Sequence, residues 1–189
     1  PPTLVSSATA ILIKHTLEHT KTIKVGSGGI MLPNHSPLVV AEQFGTMATI
    51  YPNRVELGLG RAPGTDMMTA SALRRSKNDS VYTFPEDVQA LLTYFGPEEH
   101  QGYVRAYPGV DTNVPIYILG SSTDSAYLAA SLGLPYVFAS HFAPKFMGEA
   151  ISIYRERFQP SEYLDKPYMM VCLNVIAAES DEEAKYQQT

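Results

Sequence analysis

Apolar positions along this chain switch repeatedly between a period of about 3.6 residues and a period of 2, and each switch marks a change from helix to strand. A helical period over about Leu4–Leu17 leads to an extended stretch at Thr22–Val25. After the loop Gly26–Pro37, a second helical stripe runs through Val40, Phe44, Met47 and Ile50. Arg54–Leu59 then alternates strictly, with Val55, Leu57 and Leu59 on one face and Glu56, Gly58 and Gly60 on the other. Phe84-Pro85-Glu86-Asp87 carries the proline and acids of a helix's first turn, and Val88, Leu91, Leu92 and Phe95 supply its apolar face. Val114–Leu119 predicts a strand. Thr123 or Asp124 is placed to cap a helix through Ala126–Leu132, which Gly133 closes. Tyr136–Ala139 predicts a strand, Phe146–Phe158 a helix and Met169–Ile176 a strand, and Asp181-Glu182-Glu183 opens a last helix.

Five strands alternating with helices imply a parallel sheet with helical crossovers, either an open doubly wound sheet or a closed barrel. The position of the polar and glycine-rich turns favours the barrel. Gly26-Ser27-Gly28-Gly29, Gly60-Arg61, Gly120-Ser121-Ser122 and Ser140-His141 each follow the C-terminal end of a different strand, as the functional loops of a (β/α) barrel do. A full barrel has eight strands and about 250 residues. The expected fold is therefore an α/β chain of the (β/α)8 TIM-barrel type, incomplete, with about five of its parallel strands in residues 1–189, a single domain that is an internal fragment of the barrel.

Composition narrows the function classes. The 189 residues are 44% apolar and 17% charged, with a net charge of −5 and no basic stripe, which disfavours nucleic acid and anionic membrane surfaces as partners. No apolar run approaches the roughly 20 residues of a membrane span, and the N-terminus lacks the order of a signal peptide, so a cytoplasmic location is expected. Cys172 is the sole cysteine and lies in the apolar run Tyr168–Leu173, which predicts a buried core thiol rather than a nucleophile.

The candidate chemistry centres on Arg54–Asp66. One face of this strand is nearly free of side chains, leaving room for a ligand or another backbone. Arg61 follows at the strand's end as a permanently charged fork suited to phosphate or carboxylate, and Pro63-Gly64 turns the chain beyond it. Met67 and Met68 follow, at a substrate entrance or against the barrel wall. Other motifs are incomplete. Neither Gly26-Ser27-Gly28 nor Gly58-Leu59-Gly60 continues into a dinucleotide fingerprint, and Gly120–Asp124 lacks the last glycine of a nucleophile elbow. His15-Thr16-Leu17-Glu18-His19 has the inverted zincin spacing. Histidines at a helix C-terminus are also favoured by the helix dipole, so no metal ligand is assigned.

Taken together, Gly26–Pro37, the following Ala41-Glu42-Gln43-Phe44, the Arg54–Asp66 loop, and Leu119-Gly120-Ser121-Ser122 before Leu132-Gly133-Leu134-Pro135 resemble the bacterial luciferase-like monooxygenases over nearly the whole chain. The resemblance implies a barrel that binds reduced FMN and uses oxygen to oxidise an aldehyde or other small organic substrate, with a flavin reductase as partner. The two unpaired edges of an incomplete five-strand wall, and the apolar faces it exposes, predict self-association into a homo-oligomer. The resemblance also places Gly28 and Gly29 at a strand bulge beneath the flavin ring, often a non-proline cis peptide. Arg61, Ser121, Ser122 and Ser125 fall at the flavin phosphate, and His141 and Met31 at the rim facing substrate or flavin. The family's catalytic histidine turn follows its second strand and has no counterpart here, so no catalytic acid or base is assigned, and His35 is read as a turn residue. Use of a deazaflavin in place of FMN stays open. The alternatives are a non-catalytic flavin-binding homologue and a metal-dependent hydrolase built on His15, Glu18 and His19.

Overall fold

Strand β3 (Val55–Gly60) organises the molecule because both of its edges are paired and its apolar side is buried. The computed structural model describes residues 7–62, 67–73 and 83–188; the expected helix start at 4–6 and the turn at Pro63-Gly64 lie outside these residues. Helix α1 (Thr9–Glu18) leads to β1 (Val25–Gly26) and β2 (Ile30–Met31), then α2 (Pro37–Ile50) and β3. α3 (Met67–Leu73) and α4 (Phe84–Phe95) precede β4 (Ile116–Gly120), followed by α5 (Thr123–Leu132), β5 (Tyr136–Phe138), α6 (Met147–Arg157), β6 (Met169–Val171) and α7 (Asp181–Gln187).

All strand pairings among the described residues are parallel, in the order β1-β3-β4-β5-β6, with β2 also paired to β3. This is the wall of a half-barrel, and it bears out the expected alternation of strands and helices. Val25, Val55, Leu57, Leu59, Ile116, Ile118, Tyr136 and Phe138 share one face and form one core with Phe44, Val88, Leu91, Ala129 and Tyr154 from the helices. Tyr154 is fully buried; its hydroxyl lies 2.9 Å from the carbonyl of Leu134 and 3.1 Å from that of Tyr168, and accepts from the Tyr168 amide. One side chain thus ties α6 to the segments that enter β5 and β6.

Two boundaries differ from the sequence expectation for identifiable reasons. The strand expected at Thr22–Val25 starts at Val25, because β3 begins opposite it at Val55 and offers no earlier partner. The strand expected at Met169–Ile176 ends at Val171, where its partner β5 ends at Phe138. Cys172 is accordingly half-buried rather than a core residue, held by its amide to Phe138 and by the Ser140 hydroxyl, which donates to its carbonyl. Gly133 does close α5: it takes φ +61°, and a Cβ there would lie 2.5 Å from the carbonyl oxygen of Gln159.

Arg54 has a role its place beside a strand does not reveal. Its guanidinium reaches across to the end of α1 and donates to the carbonyls of Leu17, Thr20 and Ile23, at 2.8–3.2 Å, and to the Thr20 hydroxyl. The unpaired carbonyls of a helix end are thereby satisfied by a cation, which the helix dipole also favours.

Candidate functional site

The C-terminal ends of β2, β3, β4 and β5 point the same way, so Met31, Gly60-Arg61, Gly120-Ser121 and Ser140-His141 fall along one rim of the wall. The bulge that precedes β2 is built by Ser27. Its buried hydroxyl donates to the Gly58 carbonyl at 2.8 Å and accepts from the Gly58 amide at 3.0 Å. A side chain replaces the strand ladder at this point, and β1 and β2 are two pieces of one interrupted strand beside β3. The Gly28–Gly29 peptide is cis, at the place the family resemblance implies.

The glycines on the side-chain-poor face of β3 make room for protein rather than for ligand. A Cβ on Gly58 would lie 2.2 Å from the carbonyl oxygen of Ser27, one on Gly29 would lie 2.8 Å from the carbonyl oxygen of Gly58, and the thioether of Met31 packs over Gly60. Gly28 differs. A Cβ there would meet nothing within 4 Å, so its bare backbone borders open space at the bulge.

Arg61, 45% exposed, bonds Asp124 in the first turn of α5 at 2.9 Å. This contact brings the end of β3 to the start of α5, where Ser121 and Ser122 lie. Ser122, rather than Thr123 or Asp124, occupies the N-cap, and its side chain makes no capping bond. Ser125 turns inward: its hydroxyl donates to the Ser122 carbonyl at 2.8 Å and lies 3.0 Å from the Tyr136 hydroxyl, packed against Gly120 where a Cβ would collide with it. Burial raises the pKa of Tyr136 above the ordinary tyrosine value. His141 is exposed and stacks on Phe142, with ring centroids 3.9 Å apart. Met68 is exposed on α3.

Beneath the rim, on the face of the sheet turned away from the helices, Tyr117 donates to Glu56 at 3.3 Å, and Glu56 pairs with Lys24 at 3.2 Å. The Tyr117 phenol is pushed up to about 12, first by burial and then by the neighbouring Glu56 carboxylate. Ultraviolet titration of wild type against Tyr117→Phe is expected to show this phenol ionising well above the usual pH 10. The unfolded chain releases that proton first, so the contribution to stability is complete below pH 10 and disappears as pH rises towards 12. Glu56→Gln should lower the midpoint without restoring it, since burial is the larger cause; an unchanged midpoint would remove Glu56 from the account. A cavity of about 500 Å³ lies at the other end of β3, lined by Lys24, Asn53, Val55, Asp111, Asn113 and neighbours, and contains none of the rim residues.

The site's chemistry suits a flavin carrying a phosphate. A positive fork stands beside the N-terminus of a ten-residue helix whose N-cap serine makes no capping bond, and a glycine backbone lies open where a planar ring can approach it. A parallel wall with its polar turns along one rim is the architecture of a (β/α) barrel.

The chain belongs to the luciferase-like monooxygenase family, whose profile matches residues 3–188. It is 60% identical to the Bacillus subtilis protein YddN over 181 residues, covering 96% of this chain and 53% of the relative. It is 51% identical to an Escherichia coli luciferase-like monooxygenase, covering 97% and 55%. It is 36% identical to the B. subtilis N-acetyl-S-alkylcysteine monooxygenase, covering 72% and 42%. The chain thus spans about half the length of the curated relatives it matches. Among solved structures, apo-MsnO8 superposes with a TM-score of 0.87 at 36% identity, covering 94% of this chain and 53% of that one. The oxygenating constituent of 3,6-diketocamphane monooxygenase from Pseudomonas putida, in complex with FMN, shares the fold at 20% identity, with a TM-score of 0.61 and coverage of 94% and 55%. No helix among the described residues is long and apolar enough to cross a membrane.

Proposed function

We propose that the protein containing this chain is an FMN-dependent monooxygenase that uses reduced flavin and oxygen to oxidise an aldehyde, a thioether or another small organic molecule, with a separate reductase supplying the reduced flavin. Residues 1–189 are part of its barrel, a single domain, and the protein works as a homo-oligomer. The observation that carries the reading is the Arg61–Asp124 contact, which sets a cationic fork against the start of α5 on the rim; the open backbone of Gly28 in the neighbouring bulge supports it. Family membership and the FMN bound by the diketocamphane enzyme support it.

Reduced flavin, when bound, supplies the electrons that activate oxygen. The residues of this chain hold and orient it. Arg61 exchanges its Asp124 partner for the flavin phosphate, with the α5 amides and the Ser121 and Ser122 hydroxyls completing the anion site. Ser125 holds the shape of that turn through its bonds to Ser122 and Tyr136. Gly28 would leave the backbone bare towards the ring while Gly29 packs on the Gly58 carbonyl behind it, and the Met31 thioether and His141 would flank the rim where substrate enters.

The test uses the whole protein with reduced FMN and labelled oxygen, offered in turn an aliphatic aldehyde and an N-acetyl-S-alkylcysteine. Product carrying one labelled oxygen atom supports the reading. Tight FMN binding without incorporation into any probe would identify a flavin-binding homologue instead, and absence of FMN binding would overturn the proposal.

A further inference from the structure

The second cluster of chemically able side chains lies at the other end of the wall. α1 ends where the chain turns into β1, about 20 Å from Arg61 by the length of β3. His15, Glu18 and His19 stand at i, i+3 and i+4 and therefore share one helix face. Each offers a ligand atom, and these atoms all lie within 4.8 Å of one another, with all three residues exposed. The two imidazole centroids are 4.2 Å apart.

We propose that this face is a peripheral zinc site, separate from the flavin chemistry. Two imidazoles and one carboxylate form a nitrogen-rich donor set of the kind that takes zinc, copper or nickel and is poorly suited to magnesium or calcium. His19 is already in the required tautomer. Its Nδ1 lies 2.8 Å from the carbonyl oxygen of His15, which can only accept, so Nδ1 carries the hydrogen and the lone pair is on Nε2. The helix end keeps its form without a metal because Arg54 satisfies the carbonyls of Leu17 and Thr20. The C-terminal end of the helix dipole favours a cation there. Lys14 competes, since it holds the Glu18 carboxylate.

Equilibrium dialysis of the whole protein against zinc is expected to show one equivalent bound. The double substitution His15→Gln/His19→Gln should weaken uptake by more than the roughly 10–100-fold that follows from disturbing a group merely behind a ligand. His100→Gln, on the exposed turn Glu98–His100 and outside the cluster, should leave it unchanged. Lys14→Gln should tighten binding by releasing Glu18, and Glu18→Gln should cancel that gain. All five residues are exposed, so circular dichroism should find each variant folded, and zinc should raise the melting temperature of wild type but not of the double variant. No uptake by the folded wild type, or uptake unaltered in the double variant, would overturn the assignment.

Discussion

Gly58→Ala should cost the protein about 3 kcal/mol of stability, at the upper end of what overpacking a well-filled interior costs. The new methyl would lie 2.2 Å from the carbonyl oxygen of Ser27 and 2.9 Å from a methyl of Leu119. Leu119 can rotate away; the Ser27 carbonyl belongs to the main chain of the bulge. That segment is in turn fastened to Gly58 by the two hydrogen bonds of the Ser27 hydroxyl. Relief therefore requires parting the interrupted strand from β3, which loses those bonds together with the close approach of Gly29 to the Gly58 carbonyl. Ser27→Ala removes the bonds and leaves the backbone contact, for a smaller loss of about 1–3 kcal/mol. Because the collision is with a main-chain atom, Ser27→Ala should not rescue Gly58→Ala. Urea unfolding of the single and double variants checks both statements, and a Gly58→Ala protein as stable as wild type would show that the bulge yields freely.

The same region shows what could be seen in the sequence and what could not. The alternation of β3 and the apolar stripes of α2 and α4 were legible because burial on one face imposes a period on the residues themselves. The glycines of β3 were legible as space, open to a ligand or a backbone; the fold fills that space with the Ser27 main chain and the Met31 thioether. The division of one strand into β1 and β2 left no periodic signal, since each piece has two residues and a serine hydroxyl stands in for the ladder between them. Arg54 and Arg61 flank the same strand and look alike in sequence. One locks the end of α1 and the other faces the start of α5, a distinction that depends on contacts 31 or more positions away in the chain. Asp124 looked like a cap and is instead the partner of Arg61. The likeness to the luciferase-like family supplied what periodicity could not, above all the cis peptide at Gly28–Gly29.

Arg61→Ala should weaken FMN binding by the whole protein at least tenfold while changing riboflavin binding little. A hydrogen bond to a charged group contributes about 1.5–3 kcal/mol, and each 1.4 kcal/mol is a factor of ten. The arginine is not strongly committed elsewhere. Both members of its pair with Asp124 are substantially exposed, at 45% and 63%, and such surface pairs contribute about 0.2–1 kcal/mol. A phosphate arriving beside the first amides of α5 offers more charge than one carboxylate and displaces it. Asp124 thus competes with the cofactor, and Asp124→Asn should tighten FMN binding by about 1.5–5-fold, the same few tenths to 1 kcal/mol, again without effect on riboflavin. The two ligands differ only in the phosphate, so their comparison separates an effect at Arg61 from one on the flavin ring or on folding. Equal losses for FMN and riboflavin in Arg61→Ala would place the arginine against the ring. Tighter binding of both in Asp124→Asn would show that the aspartate acts through the shape of the α5 turn and not through its charge.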